Sequence, residues 1–110
     1  MDSQAETEKA DTLIVGARVI DGTGAPAVER DVALRDGRIV AITAPGGLAG
    51  WTADEVVEAE GRVLAPGFID VHTHDDTHVI RSPQMLPKLT QGVTTVIVGN
   101  CGISVSPVTL

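Results

Sequence analysis

The sequence predicts an α/β protein with an all-β opening domain followed by the first βαβ unit of a larger α/β body. Three features carry that expectation. Residues 12–65 break into short, alternating apolar runs separated by glycine-containing turns, the pattern of a small sheet. From Pro66-Gly67 the texture changes to two longer apolar runs, Phe68-Ile69-Asp70-Val71 and Val93-Thr94-Thr95-Val96-Ile97-Val98, with a helical stretch between them. Strand, helix and strand in that order give parallel strands joined by a right-handed crossover. The charge follows the same division: residues 1–65 carry 12 acidic and 6 basic side chains, residues 66–110 only 3 and 2. A nearly neutral, apolar second half suits a parallel sheet covered on both faces.

Taken in order, the first eleven residues are polar and acidic and are expected to form a disordered tail. They lack the apolar core of a secretory signal. Leu13-Ile14-Val15 and Arg18-Val19-Ile20 read as two short strands around Gly16, before the turn-rich stretch Asp21-Gly22-Thr23-Gly24-Ala25-Pro26. Asp31–Arg35 and Arg38–Ile42 are separated only by Asp36-Gly37, a strong hairpin signal because its turn needs positive φ at both central positions. Pro45-Gly46-Gly47 opens a loop containing Trp51. A further pair, around Val56-Val57 and Arg62-Val63-Leu64, is expected to turn back on itself at Glu60-Gly61. The expectation for residues 12–65 is a small antiparallel sheet. In residues 66–110, Ser82 reads as a helix cap and Pro83 as a first-turn residue, with Met85, Leu86 and Leu89 on the apolar face and Pro87 as a kink. A single βαβ unit has two raw sheet edges and cannot bury its own strands, and a parallel barrel takes about 250 residues. On this ground 66–110 is expected to be a truncated start of such a body.

Composition narrows the function. The 110 residues are 43% hydrophobic with a net charge of −7, so the chain is a folded protein rather than a disordered one. The acidic balance argues against nucleic acid or an anionic membrane surface as partner. No run approaches the roughly 18 apolar residues of a bilayer span. The single cysteine, Cys101, cannot form an internal disulfide, and a cytoplasmic protein is expected.

The residues that can do chemistry gather at the ends of the two long apolar runs. His72 and His74 follow the first, two residues apart, so on a continued strand their imidazoles would share one face with Asp70 one pleat deeper. Two such imidazoles can grip one divalent metal, or can be solvated loop histidines. Cys101 ends the second run in Gly99-Asn100-Cys101-Gly102. Parallel neighbours lie about 4.8 Å apart, so its sulfur can approach a metal held by the histidines; the alternative is a small buried hydrophobe. Thiolate and imidazole together suit zinc. Asp70 could orient an imidazole or be satisfied elsewhere. Asp75 and Asp76 read as loop acids, and His78 as a surface or loop histidine in irregular structure.

Pro66-Gly67-Phe68-Ile69-Asp70-Val71-His72-Thr73-His74 closely resembles the first barrel strand of the amidohydrolase superfamily. Val19-Ile20-Asp21-Gly22-Thr23-Gly24 and Asp36-Gly37-Arg38-Ile39 resemble the β-sandwich that opens those enzymes. More narrowly, His74-Asp75-Asp76 and the run from Gln91 to Ser104, with Gly99-Asn100-Cys101-Gly102-Ile103-Ser104, resemble the N-acyl-D-amino-acid deacylases. The resemblance implies an N-terminal β-sandwich part over 12–65, then the start of a TIM-like (β/α)8 metal-dependent hydrolase barrel over 66–110. It implies Zn2+ as cofactor, with His72, His74 and Cys101 as metal ligands. The histidines would hold the weaker metal, and Cys101 the tight zinc. It also implies an N-acyl-D-amino acid as small-molecule substrate, hydrolysed to a carboxylate and a free D-amino acid. The general acid/base would be an aspartate beyond residue 110, so the 110 residues alone would be inactive. A cyclic-amide hydrolase of the same superfamily, hydantoinase- or dihydroorotase-like, remains an alternative. So does a non-catalytic chain that docks to a partner.

Overall fold

The computed structural model describes residues 8–102, which form two compact units divided between Pro66 and Gly67. The expected tail falls mainly on residues 1–7, outside the described residues, as do 103–110. Lys9–Asp11 correct that expectation, because they open the first strand. Ala10 is drawn into the core at 1% exposure, where a fourth strand pairs it with Ala53.

The first unit is one mixed five-stranded sheet. Strands β1 (Lys9–Val19), β2 (Val28–Arg35), β3 (Arg38–Thr43) and β4 (Thr52–Glu58) lie in the order β3-β2-β1-β4, and β5 (Val63–Leu64) pairs with β1. The Asp36-Gly37 hairpin forms as expected, with φ of 52° and 72° at its central residues and β2 antiparallel to β3. Two expectations change. The runs on either side of Gly16 are one strand interrupted by a bulge, which Gly16 allows by adopting φ 71°. The buried Asp31 carboxylate fixes that bulge, accepting the Gly16 amide at 2.9 Å and the Gly46 amide at 2.8 Å. Second, β4 and β5 do not pair with each other. The chain does turn at Glu60-Gly61, but both strands lie parallel to β1, so the sheet is mixed rather than antiparallel. The Arg62 and Leu64 carbonyls accept the Arg18 and Ile20 amides, so β5 joins β1 and not β4.

The core is aliphatic. Leu13 and Ala33, opposite one another in register, bury one face together with Ala10. The turn-rich segment 44–51 folds back over that face, inserting Leu48 and packing Trp51 against it. The opposite face, with Ile14, Val32, Leu34, Ile39 and Ile42, borders an apolar cavity of about 300 Å³.

The second unit is the expected βαβ arrangement. Strand β6 (Phe68–Thr73) lies parallel to β7 (Val93–Val98), with α1 (Asp75–Arg81) and α2 (Leu86–Leu89) between them. The helices are not where the sequence suggested. Asp75, Asp76 and His78, read as loop residues, form α1, whose first turn gains from two acids at its positive end. Ser82 terminates that helix instead of capping the next: its ψ of 77° is the extended geometry imposed by the following Pro83. Pro87 lies in the first turn of α2, where its missing N–H breaks no bond, so it starts the helix rather than kinking it. Thr73 is the only buried residue of this unit among those described; Phe68, Ile69 and Val71 are each about 60% exposed, since a two-stranded sheet offers too little to cover them.

Candidate metal centre

The site sits where β6 and β7 end. Gly67 begins it by letting the two strands approach closely. A Cβ at that position would lie 1.9 Å from the Thr94 hydroxyl oxygen, and the Phe68 amide donates to the Gly92 carbonyl at 2.8 Å. Two side chains then knit the far ends together. The Thr73 hydroxyl donates to the Ile97 carbonyl at 3.2 Å, and the Asn100 amide donates to the Val71 carbonyl at 3.1 Å. These contacts bring the segment Val71–His74 beside the Gly99–Gly102 turn.

Within that frame the structure brings together His72, His74 and Cys101. One donor atom of each lies within 4.8 Å of the other two, and all three residues are exposed. The imidazoles meet edge to face, with ring centroids 5.9 Å apart. Cys101 is a free, exposed cysteine, not a buried filler. Donor atoms on one tetrahedral zinc, each about 2.0–2.3 Å from the ion, stand about 3.5 Å apart. The observed spacing of up to 4.8 Å exceeds that value by about 1.3 Å, and two nitrogens with one sulfur form a suitable set for zinc.

The other candidates separate. Asp70 makes no hydrogen bond to an imidazole. Its carboxylate accepts the Lys88 ammonium at 2.7 Å and the His72 backbone amide at 3.3 Å. The Lys88 hydrogen bond, then the His72 amide, hold its pKa below the ordinary carboxylate value. Lys88 also forms an ion pair with Asp75 at 3.3 Å, and the hydrogen bond it donates to Asp70 raises its pKa above that of a free lysine. His78 lies on α1, away from the cluster set, with its Nε2 enclosed and unbonded. Sequence reasoning missed Lys88 and gave Asn100 no separate role. The available signals were a lone lysine facing three acids in a nearly neutral half, and a turn asparagine next to the cysteine.

Along most of its length the chain is similar to known proteins. A model of the amidohydrolase family matches residues 55–108. N-acyl-D-aspartate deacylase of Alcaligenes xylosoxydans xylosoxydans is 54% identical over 99 residues, which cover 90% of this chain and 19% of that enzyme. The crystal structure of N-acyl-D-glutamate deacylase from Bordetella bronchiseptica, complexed with zinc and a phosphonate inhibitor that mimics the tetrahedral intermediate, superposes with a TM-score of 0.85. It is 48% identical, over 94% of this chain and 21% of that one. A D-aminoacylase with a binuclear metal center superposes with a TM-score of 0.83 at 44% identity, over 92% and 21%. The chain thus spans about a fifth of the length of the relatives it matches. It belongs to the amidohydrolase family, on the branch of the N-acyl-D-amino-acid deacylases.

Proposed function

We propose that these residues contribute part of the metal site of a zinc-dependent hydrolase that splits N-acyl-D-amino acids into a carboxylate and a free D-amino acid. The observation that carries this reading is the cluster of His72, His74 and Cys101 at the open ends of two parallel strands, the end at which barrel enzymes build their active sites. His72, His74 and Cys101 would hold the metal. When bound, zinc supplies an activated water near neutral pH and positive charge for the oxyanion that develops on the acyl carbonyl. The residues of this chain bind and orient. Asn100 and Thr73 hold the two strand ends together, so the imidazoles and the thiolate converge. The remaining ligands and the aspartate that passes a proton to the leaving nitrogen would come from strands outside these 110 residues, in a (β/α)8 barrel whose first unit is β6–β7. A lone cysteine that must stay reduced to bind metal suits a reducing compartment, the cytoplasm.

The test has two arms. Zinc titration of the chain, followed by displacement with a chromogenic chelator, should show one bound ion that is lost in His72→Ala and in Cys101→Ser. Release of free amine from N-acetyl-D-aspartate, N-acetyl-D-glutamate and N-acetyl-D-methionine should occur with the protein extended to the length of its relatives, and not with their L-isomers. Failure to bind zinc, or equal turnover of L-substrates, would refute the reading.

A further inference from the structure

We propose that Lys88 is a positioning residue for this metal site. It is a single ammonium that clamps both flanks of the His72-Thr73-His74 segment and so sets the spacing of its imidazoles. The inference rests on the metal reading of His72, His74 and Cys101 and adds a residue to it. Lys88 lies on α2, remote in sequence from the histidines, yet its Nζ is 2.7 Å from Asp70 Oδ2 and 3.3 Å from Asp75 Oδ2. Asp70 lies two residues before His72, and Asp75 immediately follows His74. One cation therefore ties the chain on both sides of the candidate ligands. Asp70 passes the constraint on directly, because its other carboxylate oxygen accepts the His72 backbone amide at 3.3 Å. Asp75 passes it on through its amide, which donates to the Thr73 hydroxyl at 3.5 Å, the same hydroxyl that reaches across to Ile97.

The position of these groups explains why an ion pair is used here. The side chains of Lys88, Asp70 and Asp75 are only 26%, 34% and 15% exposed, so the triad is better shielded than the surface pairs of the first unit. Thr73 and Asn100 hold the backbone of the segment to β7, but the His72 and His74 side chains are exposed and no side chain caps the start of α1. Without the clamp the imidazoles would sample many orientations, and gathering them around an ion would carry the entropy of ordering the segment. Residues that orient ligands in this way typically change metal affinity about 10–100-fold when removed.

The experiment measures zinc and cobalt affinity of the chain and follows the His72, Thr73 and His74 amides of the metal-free form by NMR. Lys88→Met keeps the length of the side chain and removes its charge. It should weaken zinc binding about 10–100-fold and broaden the three amides, while thermal unfolding of the β1–β5 sheet stays unchanged. Lys88→Arg, which can still bridge two carboxylates, should restore affinity to within about threefold of wild type. Asp75→Asn cuts one arm and should give an intermediate loss, which keeps the test decisive if Lys88→Met disturbs folding of its unit. Zinc affinity within about twofold of wild type in Lys88→Met or Asp75→Asn would overturn the clamp. Unchanged binding in His72→Ala and Cys101→Ser would instead overturn the metal reading beneath it.

Discussion

Replacing Gly67 by alanine should pry apart the two strands that carry the candidate ligands. The new methyl would start 1.9 Å from Thr94 Oγ1, 2.5 Å from its Cγ2 and 2.7 Å from its Cβ. Turning the threonine about χ1 moves the first two atoms but leaves its Cβ in place, so rotation alone cannot relieve the contact. Contacts of a real Cβ below 3.0 Å are essentially never seen, so even after the threonine turns, the backbone must yield by at least about 0.3 Å to carry the Thr94 Cβ from 2.7 Å to 3.0 Å. If the strands take up that movement, the Phe68–Gly92 hydrogen bond lengthens from 2.8 Å to about 3.1 Å or more and weakens. Overpacking of this kind destabilises by about 1–3 kcal/mol. Amide hydrogen exchange at Phe68 should then accelerate about 5–150-fold. Because the same opening draws His72 away from Cys101, zinc affinity should fall in parallel. Thr94→Gly removes the three atoms that the methyl would meet most closely, so Gly67→Ala/Thr94→Gly should recover most of both losses. If Gly67→Ala exchanges at Phe68 and binds zinc as wild type does, close approach at Gly67 is not what sets the strand spacing.

Three further outcomes are expected. Cys101→Ser should lower zinc affinity by more than the roughly 10–100-fold typical of a supporting residue, without shifting the unfolding of the first unit; elemental analysis beside a urea melt separates those effects. Asp31→Asn keeps one of two carboxylate acceptors and should destabilise the five-stranded sheet by about 1.5–3 kcal/mol, with Asp31→Ala losing about twice as much. Coincident urea midpoints for Asp31→Ala and wild type would contradict the role given to Asp31 at the Gly16 bulge. At Asp21 the Thr23 hydroxyl, and then the Thr23 amide, lower the carboxyl pKa below 3.8. The turn it anchors is therefore fully stabilised above pH 3.8 and loses that contribution as pH falls through the depressed value. An NMR titration should show the Asp21 pKa rising in Thr23→Ala, and no rise would rule out the hydroxyl as the main cause.

Where signals were local, the sequence by itself was enough. Asp36-Gly37 specified its hairpin because the turn's backbone angles favour those residue types. The two apolar runs after Pro66, linked by a crossover too long for a hairpin, specified a parallel pair. Their ends named His72, His74 and Cys101, which the structure brings together, because residue types that can donate to a metal are written in the sequence. What depended on which strand meets which was decided only by the tertiary structure. The Glu60-Gly61 turn has the same local chemistry whether its flanking strands pair with each other or both join β1, and only the bonds to Arg18 and Ile20 choose between them. Ser82-Pro83 is as good a helix start as a helix stop until α1 occupies the residues before it. Asp70 looked like a partner for imidazole because a strict alternation puts it on their face. Its bond to Lys88, 18 residues away, was not visible in any local pattern, because a salt bridge across two elements is a property of their packing and not of either segment.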